Sequence, residues 1–175
     1  MPERIVIVGG GLAAATAAEE LRTRGYDGGI ALVTAEPHRP YQRPPLSKGY
    51  LAGEEGLDSV FVHPEGWEAE HRVELHVGDP ARRIADHAVE LASGAELPFD
   101  RLLIATGAKP RPLAVPNGSA PGVRTFRTLD DADALRSALA EGGRRVVFIG
   151  SGWIGLELAA AARGYGNDVT IVSQD

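Results

Sequence analysis

Two glycine-rich turns in this sequence have the spacing of phosphate cradles. The first reads Gly9-Gly10-Gly11-Leu12-Ala13-Ala14, a G-x-G-x-x-A pattern between a strand-like run and a helix-like one. In that pattern Gly9 permits the tight turn, Gly11 lets a pyrophosphate approach the backbone, and Ala14 lets helix and strand pack closely. The N–H groups at the helix start, with the positive end of its dipole, then hold the phosphates. Glu36, after the next strand, is placed to accept hydrogen bonds from ribose hydroxyls. The plainer alternative is a tight strand–helix turn with Glu36 merely solvated. The second turn reads Gly150-Ser151-Gly152-Trp153-Ile154-Gly155 and is followed by Glu157. Two such turns imply two dinucleotides, and the common reason to hold two is to pass a hydride between them. Where the second unit should carry a ribose-binding acid it has Ser173, with Asp175 as a candidate substitute. The choice between NADH and NADPH therefore stays open.

These residues need strands and helices to position them. Ile5–Val8, Leu12–Arg24 and Ile30–Val33 read as strand, helix and strand, the βαβ unit of a parallel sheet with a right-handed crossover. Pro37–Pro45 holds four prolines and reads as an extended loop, after which Ser47 is the expected cap of a short helix from Lys48 to about Leu51. Pro64–His71 reads as a short helix. Val73–Val77, Arg83–Asp86, Ala88–Leu91 and a buried run within Phe99–Ala105 read as strands, with a polar turn at Ala92–Glu96. Lys109–Gly122, with four prolines and two glycines, marks a crossover. Leu129–Glu141 is an expected helix capped by Thr128. Arg145–Ile149, Gly152–Arg163 and Asp168–Val172 then repeat the strand–helix–strand order. The fold class is α/β, with two Rossmann-like dinucleotide-binding units. The second is expected to be incomplete, because a lone βαβ leaves both sheet edges unpaired and one face uncovered.

Composition narrows the function. The 175 residues carry 18 Lys+Arg against 24 Asp+Glu, a net charge of −6, which argues against nucleic acid or an anionic membrane as the main partner. A hydrophobic content of 43% suffices for a sizeable core. With no cysteine, the segment has no disulfide, thiolate zinc site, cysteine-ligated iron–sulfur cluster or thiol relay of its own. The five histidines lack metal-ligand spacing, and Asp130-Asp131-Ala132-Asp133 reads as an acidic first helical turn, so no metal site is expected. No run approaches the roughly 18 apolar residues of a membrane helix, and no leader-like segment opens the chain, so the expected compartment is the cytoplasm. Lys48 and Lys109 are the two lysines.

At Tyr41-Gln42-Arg43-Pro44-Pro45-Leu46-Ser47-Lys48 a family signature joins the two turns and Leu103-Ile104-Ala105-Thr106-Gly107-Ala108. Together these motifs resemble the FAD-dependent ferredoxin and rubredoxin reductases, whose layout the apoptosis-inducing flavoproteins share. The resemblance covers the whole chain but only the N-terminal part of such a protein. It implies a first FAD-domain segment at residues 1–113 and the start of an NAD(P)H domain at 114–175. It implies cofactor contacts at Gly9, Gly11, Ala13, Ala14, Ala35, Glu36, Arg43, Lys48, Ala81, Thr106, Gly107 and Arg127. Gly150, Gly152 and Gly155 would form the nicotinamide dinucleotide turn.

The resemblance further implies that Lys48 sits by the flavin and pairs with Glu157 near the nicotinamide. A cation there stabilises the reduced flavin and raises its potential. The alternatives are a Lys48 that snorkels on a short helix and a Glu157 that only favours a helix start. Arg43 offers its planar fork to phosphate or is a solvated loop arginine. Trp153 lines the nicotinamide side or simply packs, and Trp67 is expected in the core. The implied activity is electron transfer from NADH or NADPH through FAD to a ferredoxin- or rubredoxin-type iron–sulfur protein. The rivals are a catalytically incompetent FAD-binding fragment and another FAD-dependent NAD(P)H oxidoreductase of the same fold.

Overall fold

In chain order the computed structural model, which describes residues 3–173, begins with β1 (Arg4–Val8), α1 (Leu12–Thr23), β2 (Gly29–Val33), α2 (Gly49–Ala52) and α3 (Trp67–Glu70). It continues with β3 (Val73–His76), β4 (Ala81–Ala85), β5 (Ala88–Leu91), β6 (Glu96–Pro98) and β7 (Arg101–Ile104). The last elements are α4 (Leu129–Leu139), β8 (Arg145–Ile149), α5 (Trp153–Gly164) and β9 (Asp168–Val172). Contacts group Met1–Gln42 with Phe61–Ala108, and Arg43–Val60 with Lys109–Asp175.

The first unit has three layers. Its middle is a parallel sheet of order β3-β2-β1-β7. Strand β1 pairs with β2 in the register Val6↔Ala31 and with β7 in the register Val6↔Leu102. Side chains alternate across a strand, so β1 feeds two cores. Ile7 joins Ala14 and Ala18 of α1, with Ile30, Leu32 and Val73, on one face. Val6 joins Ala31 and Val33 with Val89, Leu91 and Leu97 on the other. The small alanines let α1 lie close to the sheet. The opposite layer is the antiparallel sheet β4-β5-β6. Its first hairpin turns at Asp86 and His87, both with positive φ (42° and 64°), as the tight turns that match strand twist require.

Strand β6 goes beyond the polar turn expected at Ala92–Glu96. The strand is three residues long with Leu97 its buried side chain, too short to give a periodic signal. Trp67 packs against the α1-side core as expected. It also stacks on His63 and His71, with ring centroids 3.8 and 4.3 Å away.

In the second unit β8 and β9 pair in parallel, with Val146 opposite Val169. Leu158, Ala159 and Ala162 of α5 are buried, as are Leu129, Ala132 and Leu139 of α4. Asn167, fully buried, ties the elements together. Its Nδ2 donates to the Leu139 and Ala162 carbonyls at 3.0 and 3.1 Å, and its Oδ1 accepts from Arg144 N–H. The sequence alone predicts a lone βαβ behind α4. The structure adds residues 43–60: the Tyr50 hydroxyl donates to Asp133 Oδ1 on α4, and Tyr165 after α5 donates to the Leu51 carbonyl at 2.9 Å. Val147, Ile149 and Val172 nonetheless remain half or more exposed. Among the described residues no helix is long and apolar enough to cross a membrane.

Candidate functional site

Three longer helices start in two different ways. Helix α4 is closed by its own residues: the Thr128 hydroxyl accepts from Asp131 N–H at 3.1 Å, and Asp131 Oδ2 accepts from Thr128 N–H at 2.9 Å. Asp130 and Asp131 also face the positive end of its dipole. Helices α1 and α5 start at Gly11 and Gly152 with no side-chain cap and no acid in the first turn. Their first N–H groups and dipoles are left for something else to satisfy.

In the first turn Gly9 has a φ of +152°, and a Cβ there would lie 2.2 Å from the Ala105 carbonyl oxygen. Its N–H donates to Val33 at 2.8 Å, while Ala105 N–H donates to Val8. The turn is thus wedged between the ends of β1, β2 and β7. A Cβ on Gly11 would meet nothing within 4 Å, an open position of the kind a close-lying pyrophosphate needs. Ala14 is fully buried and Ala13 exposed. Gly10 occupies the variable position of the pattern, where the sequence motif makes no demand. Its Cβ would fall 2.2 Å from Thr34 Oγ1, so the turn needs glycine there too.

Beyond β2, Ala35 is exposed and Glu36 half-buried. Glu36 is more than solvated: Oε2 accepts the hydroxyl of Tyr41, a buried side chain that the sequence offered only as a letter in a motif. Ala81 opens β4 and packs against the core beneath it. Thr106 and Gly107 follow β7, both exposed, Gly107 with a φ of +70°.

In the second turn Gly150 has a φ of +111°, and a Cβ on Gly155 would lie 2.2 Å from the Gly150 carbonyl oxygen. The Ser151 and Ser173 hydroxyls are 2.6 Å apart. Asp175 lies outside the described residues. Trp153 is 85% exposed, which overturns the packing alternative within this chain.

Residues 43–60 bring the remaining candidates together. Lys48 Nζ and Glu157 Oε1 form an ion pair, and Ser47 Oγ donates to Glu157 Oε2 at 2.5 Å. The expectation that Ser47 caps a helix is corrected. Helix α2 starts after Lys48 without a side-chain cap, preceded by a 3-10 turn at Pro44–Ser47, and the Ser47 hydroxyl serves the distant glutamate instead. The Lys48 hydrogen bond, and then that of Ser47, hold the Glu157 carboxyl below its ordinary pKa against the opposing effect of burial. The pair borders a groove of about 480 Å³ that Glu54 and Tyr165 also line. Arg43 Nη1 donates to the Arg127 carbonyl at 2.6 Å, so Arg43 is no solvated loop arginine. Arg127 Nε is buried without a partner, while the Arg127 backbone N–H donates to Asp131 Oδ2 at 2.9 Å. Among the described residues no group of three or more His, Asp or Glu side chains is placed to hold a metal ion.

Strand–glycine turn–helix units on a parallel sheet define the class, and residues 3–175 match the family described as pyridine nucleotide-disulphide oxidoreductase. The chain belongs to that family. It is 46% identical over 170 residues to rhodocoxin reductase of Rhodococcus erythropolis, covering 96% of this chain and 40% of the relative. It is 41% identical over 177 residues to the ferredoxin–NAD(+) reductase component of the biphenyl dioxygenase system of Paraburkholderia xenovorans, covering 98% and 42%. Among solved structures it is similar to a ferredoxin reductase from Rhodopseudomonas palustris (TM-score 0.89, 41% identity, 97% of this chain and 42% of that one). It is similar too to the covalent putidaredoxin reductase–putidaredoxin complex (TM-score 0.88, 39% identity, 97% and 42%). The chain thus spans about two fifths of the length of these relatives.

Proposed function

We propose that this chain is the N-terminal portion of an FAD-dependent oxidoreductase that takes electrons from NADH and delivers them to a small ferredoxin- or rubredoxin-type iron–sulfur protein in the cytoplasm. One observation carries the reading. The helices behind both glycine turns start uncapped, whereas α4 caps itself with Thr128 and Asp131. Both of these starts directly follow a strand and a glycine turn, the setting in which helix N–H groups receive a phosphate. On motif order, residues 1–113 are assigned to the first FAD segment and 114–175 to the start of the NAD(P)H domain. NADH is favoured over NADPH because the biphenyl-system relative is named for NAD(+).

When bound, FAD supplies the chemistry that lets a two-electron donor serve a one-electron acceptor. The rest falls to the chain's own groups. The Gly9–Ala14 turn binds pyrophosphate, Glu36 accepts from the adenosine ribose, and Gly150, Gly152 and Gly155 form the corresponding turn for the nicotinamide dinucleotide. Ala35 joins Glu36 at the ribose, Ala81 supplies a backbone contact to the adenine, Thr106 and Gly107 form the strand end that returns to the cofactor, and Arg43 and Arg127 supply positive charge. Lys48 carries the cation that favours electron acceptance. Glu157, kept ionised by Lys48 and Ser47, holds that cation in place.

The test is a titration of the purified chain with FAD, followed by NADH and a ferredoxin. Bound flavin absorbing near about 450 nm, and NADH-driven ferredoxin reduction by the longer polypeptide, are the expected results. A chain that leaves FAD free in solution refutes the reading. A second reading, flavin binding without turnover, is favoured by the exposure of Val147, Ile149 and Val172 in the second unit. Flavin retained by this chain, with no NADH-driven reduction by it or by the longer polypeptide, identifies it.

A further inference from the structure

Tyr41 touches both the first glycine turn and the acid that follows β2. Its backbone reaches the glycine turn: Tyr41 N–H donates to the Gly10 carbonyl at 3.4 Å, and the residue bridges Gly11 in the parallel sense. On its other side it bridges Phe61 in the antiparallel sense. The side chain is 2% exposed, and its hydroxyl donates to Glu36 Oε2. A phenol so deeply placed needs an acceptor, and the acceptor is the residue read as the ribose contact.

We propose that Tyr41 is a positioning residue that fixes the Glu36 carboxylate for a ribose hydroxyl and sets it in register with the pyrophosphate turn. This role rests on the reading of Glu36 as the ribose acceptor. A glutamate turns about three bonds, and an untethered carboxylate gives up that freedom whenever it takes a ligand. A buried donor makes the ordering part of folding, so the ligand meets a carboxylate already placed. An ionised carboxylate offers about four acceptor sites, so accepting from Tyr41 does not exhaust it. Because one residue carries both contacts, the spacing between pyrophosphate turn and ribose acid is set within a single side chain and its own backbone.

The experiment measures ADP and 2′-deoxy-ADP binding to the 175-residue chain by calorimetry, in wild type, Tyr41→Phe and Glu36→Asp. The wild type is expected to prefer ADP by about tenfold, the worth of one hydrogen bond to a charged group. In Tyr41→Phe, which keeps every buried carbon, the preference is expected to fall to within about twofold of unity. Glu36→Asp draws the carboxylate back from the Tyr41 hydroxyl and is expected to do the same; it carries the test if the phenylalanine variant does not fold. A merely structural Tyr41 would weaken both ligands equally and leave their ratio unchanged, and that result overturns the role. Retained preference in Glu36→Asp overturns it as well. A wild type that binds both ligands alike overturns the reading of Glu36 itself, a separate and recognisable failure.

Discussion

Replacing Gly11 by valine should separate ligand binding from folding. Gly11 has φ −105° and ψ −174°, extended backbone that a β-branched residue adopts readily. A Cβ there meets nothing within 4 Å. What folding loses is the tolerance of glycine at a helix start, about 1 kcal/mol or less, or about 2–4 °C in Tm for a chain of this length. Binding loses far more. If the added methyls keep a pyrophosphate from two backbone N–H groups, each charge-assisted bond lost costs about 1.5–3 kcal/mol, together on the order of 10²–10⁴ in Kd. The neighbouring Gly10→Val is the contrasting control. Its Cβ would fall 2.2 Å from Thr34 Oγ1, and Thr34 is buried. Overpacking there should cost about 1–3 kcal/mol or more in stability. Thermal unfolding followed by circular dichroism and FAD binding followed by flavin fluorescence report the two quantities. A folded Gly11→Val that takes FAD with wild-type affinity, or one as unstable as Gly10→Val, refutes the assignment of Gly11 to the phosphate.

Three further outcomes are expected. Ser47→Ala should raise the Glu157 pKa towards its ordinary value, since a hydroxyl donating at 2.5 Å is one of the causes that lower it; carboxyl ¹³C shifts against pH read this, and an unmoved titration counts against it. The folded pKa of Glu157 is depressed, so the stability it contributes is present above the unfolded value and is lost as pH falls through the folded one; Ser47→Ala should therefore lessen acid sensitivity in that window. Burial first, and then the bond to Asp133, push Tyr50 up to about 12 from 10.0. The folded state then holds the phenol proton more tightly, so stability should decline as pH rises from about 10 through about 12, and Tyr50→Phe should flatten that decline in alkaline unfolding curves. Asn167→Ala should destabilise the second unit by about 1–3 kcal/mol, because Arg144 N–H loses its acceptor while the Leu139 and Ala162 carbonyls each lose one of two donors and keep the N–H groups of Gly142 and residue 167; denaturant unfolding with unchanged stability would contradict it.

Elements with strong apolar runs were legible in the sequence. Ile5–Val8, Ile30–Val33, Ala88–Leu91, Arg145–Ile149 and Asp168–Val172 all stand as strands, within a residue at their ends. The Thr128 cap was legible because capping is local chemistry between residues three apart. What was not legible depends on chain brought in from far away. Nothing local in Ser47 tells that its hydroxyl turns to Glu157 rather than to a helix N–H. Nothing in the proline-rich loop tells that residues 43–60 pack with α4 and α5, because prolines and glycines specify turns and not partners. Gly10 hid in a variable position, since the clash that demands glycine there is with Thr34 on the next strand. Tyr41 looked like an ordinary aromatic in a motif until its hydroxyl met Glu36.

The place of β1 between β2 and β7 has a consequence for synthesis on the ribosome. β2 ends at Val33 and can pair as soon as it emerges, but β7 does not start until Arg101. At about 5–20 residues per second, roughly 3–14 s separate the two. For that interval one edge of Arg-Ile-Val-Ile-Val has no neighbour, an apolar β-branched template open to wrong pairing. The glycine turn is unfinished for the same time, because Ala105 is the wall against which Gly9 is set. On the reading proposed above, the pyrophosphate turn therefore takes its final shape only when the last strand of the sheet has been made.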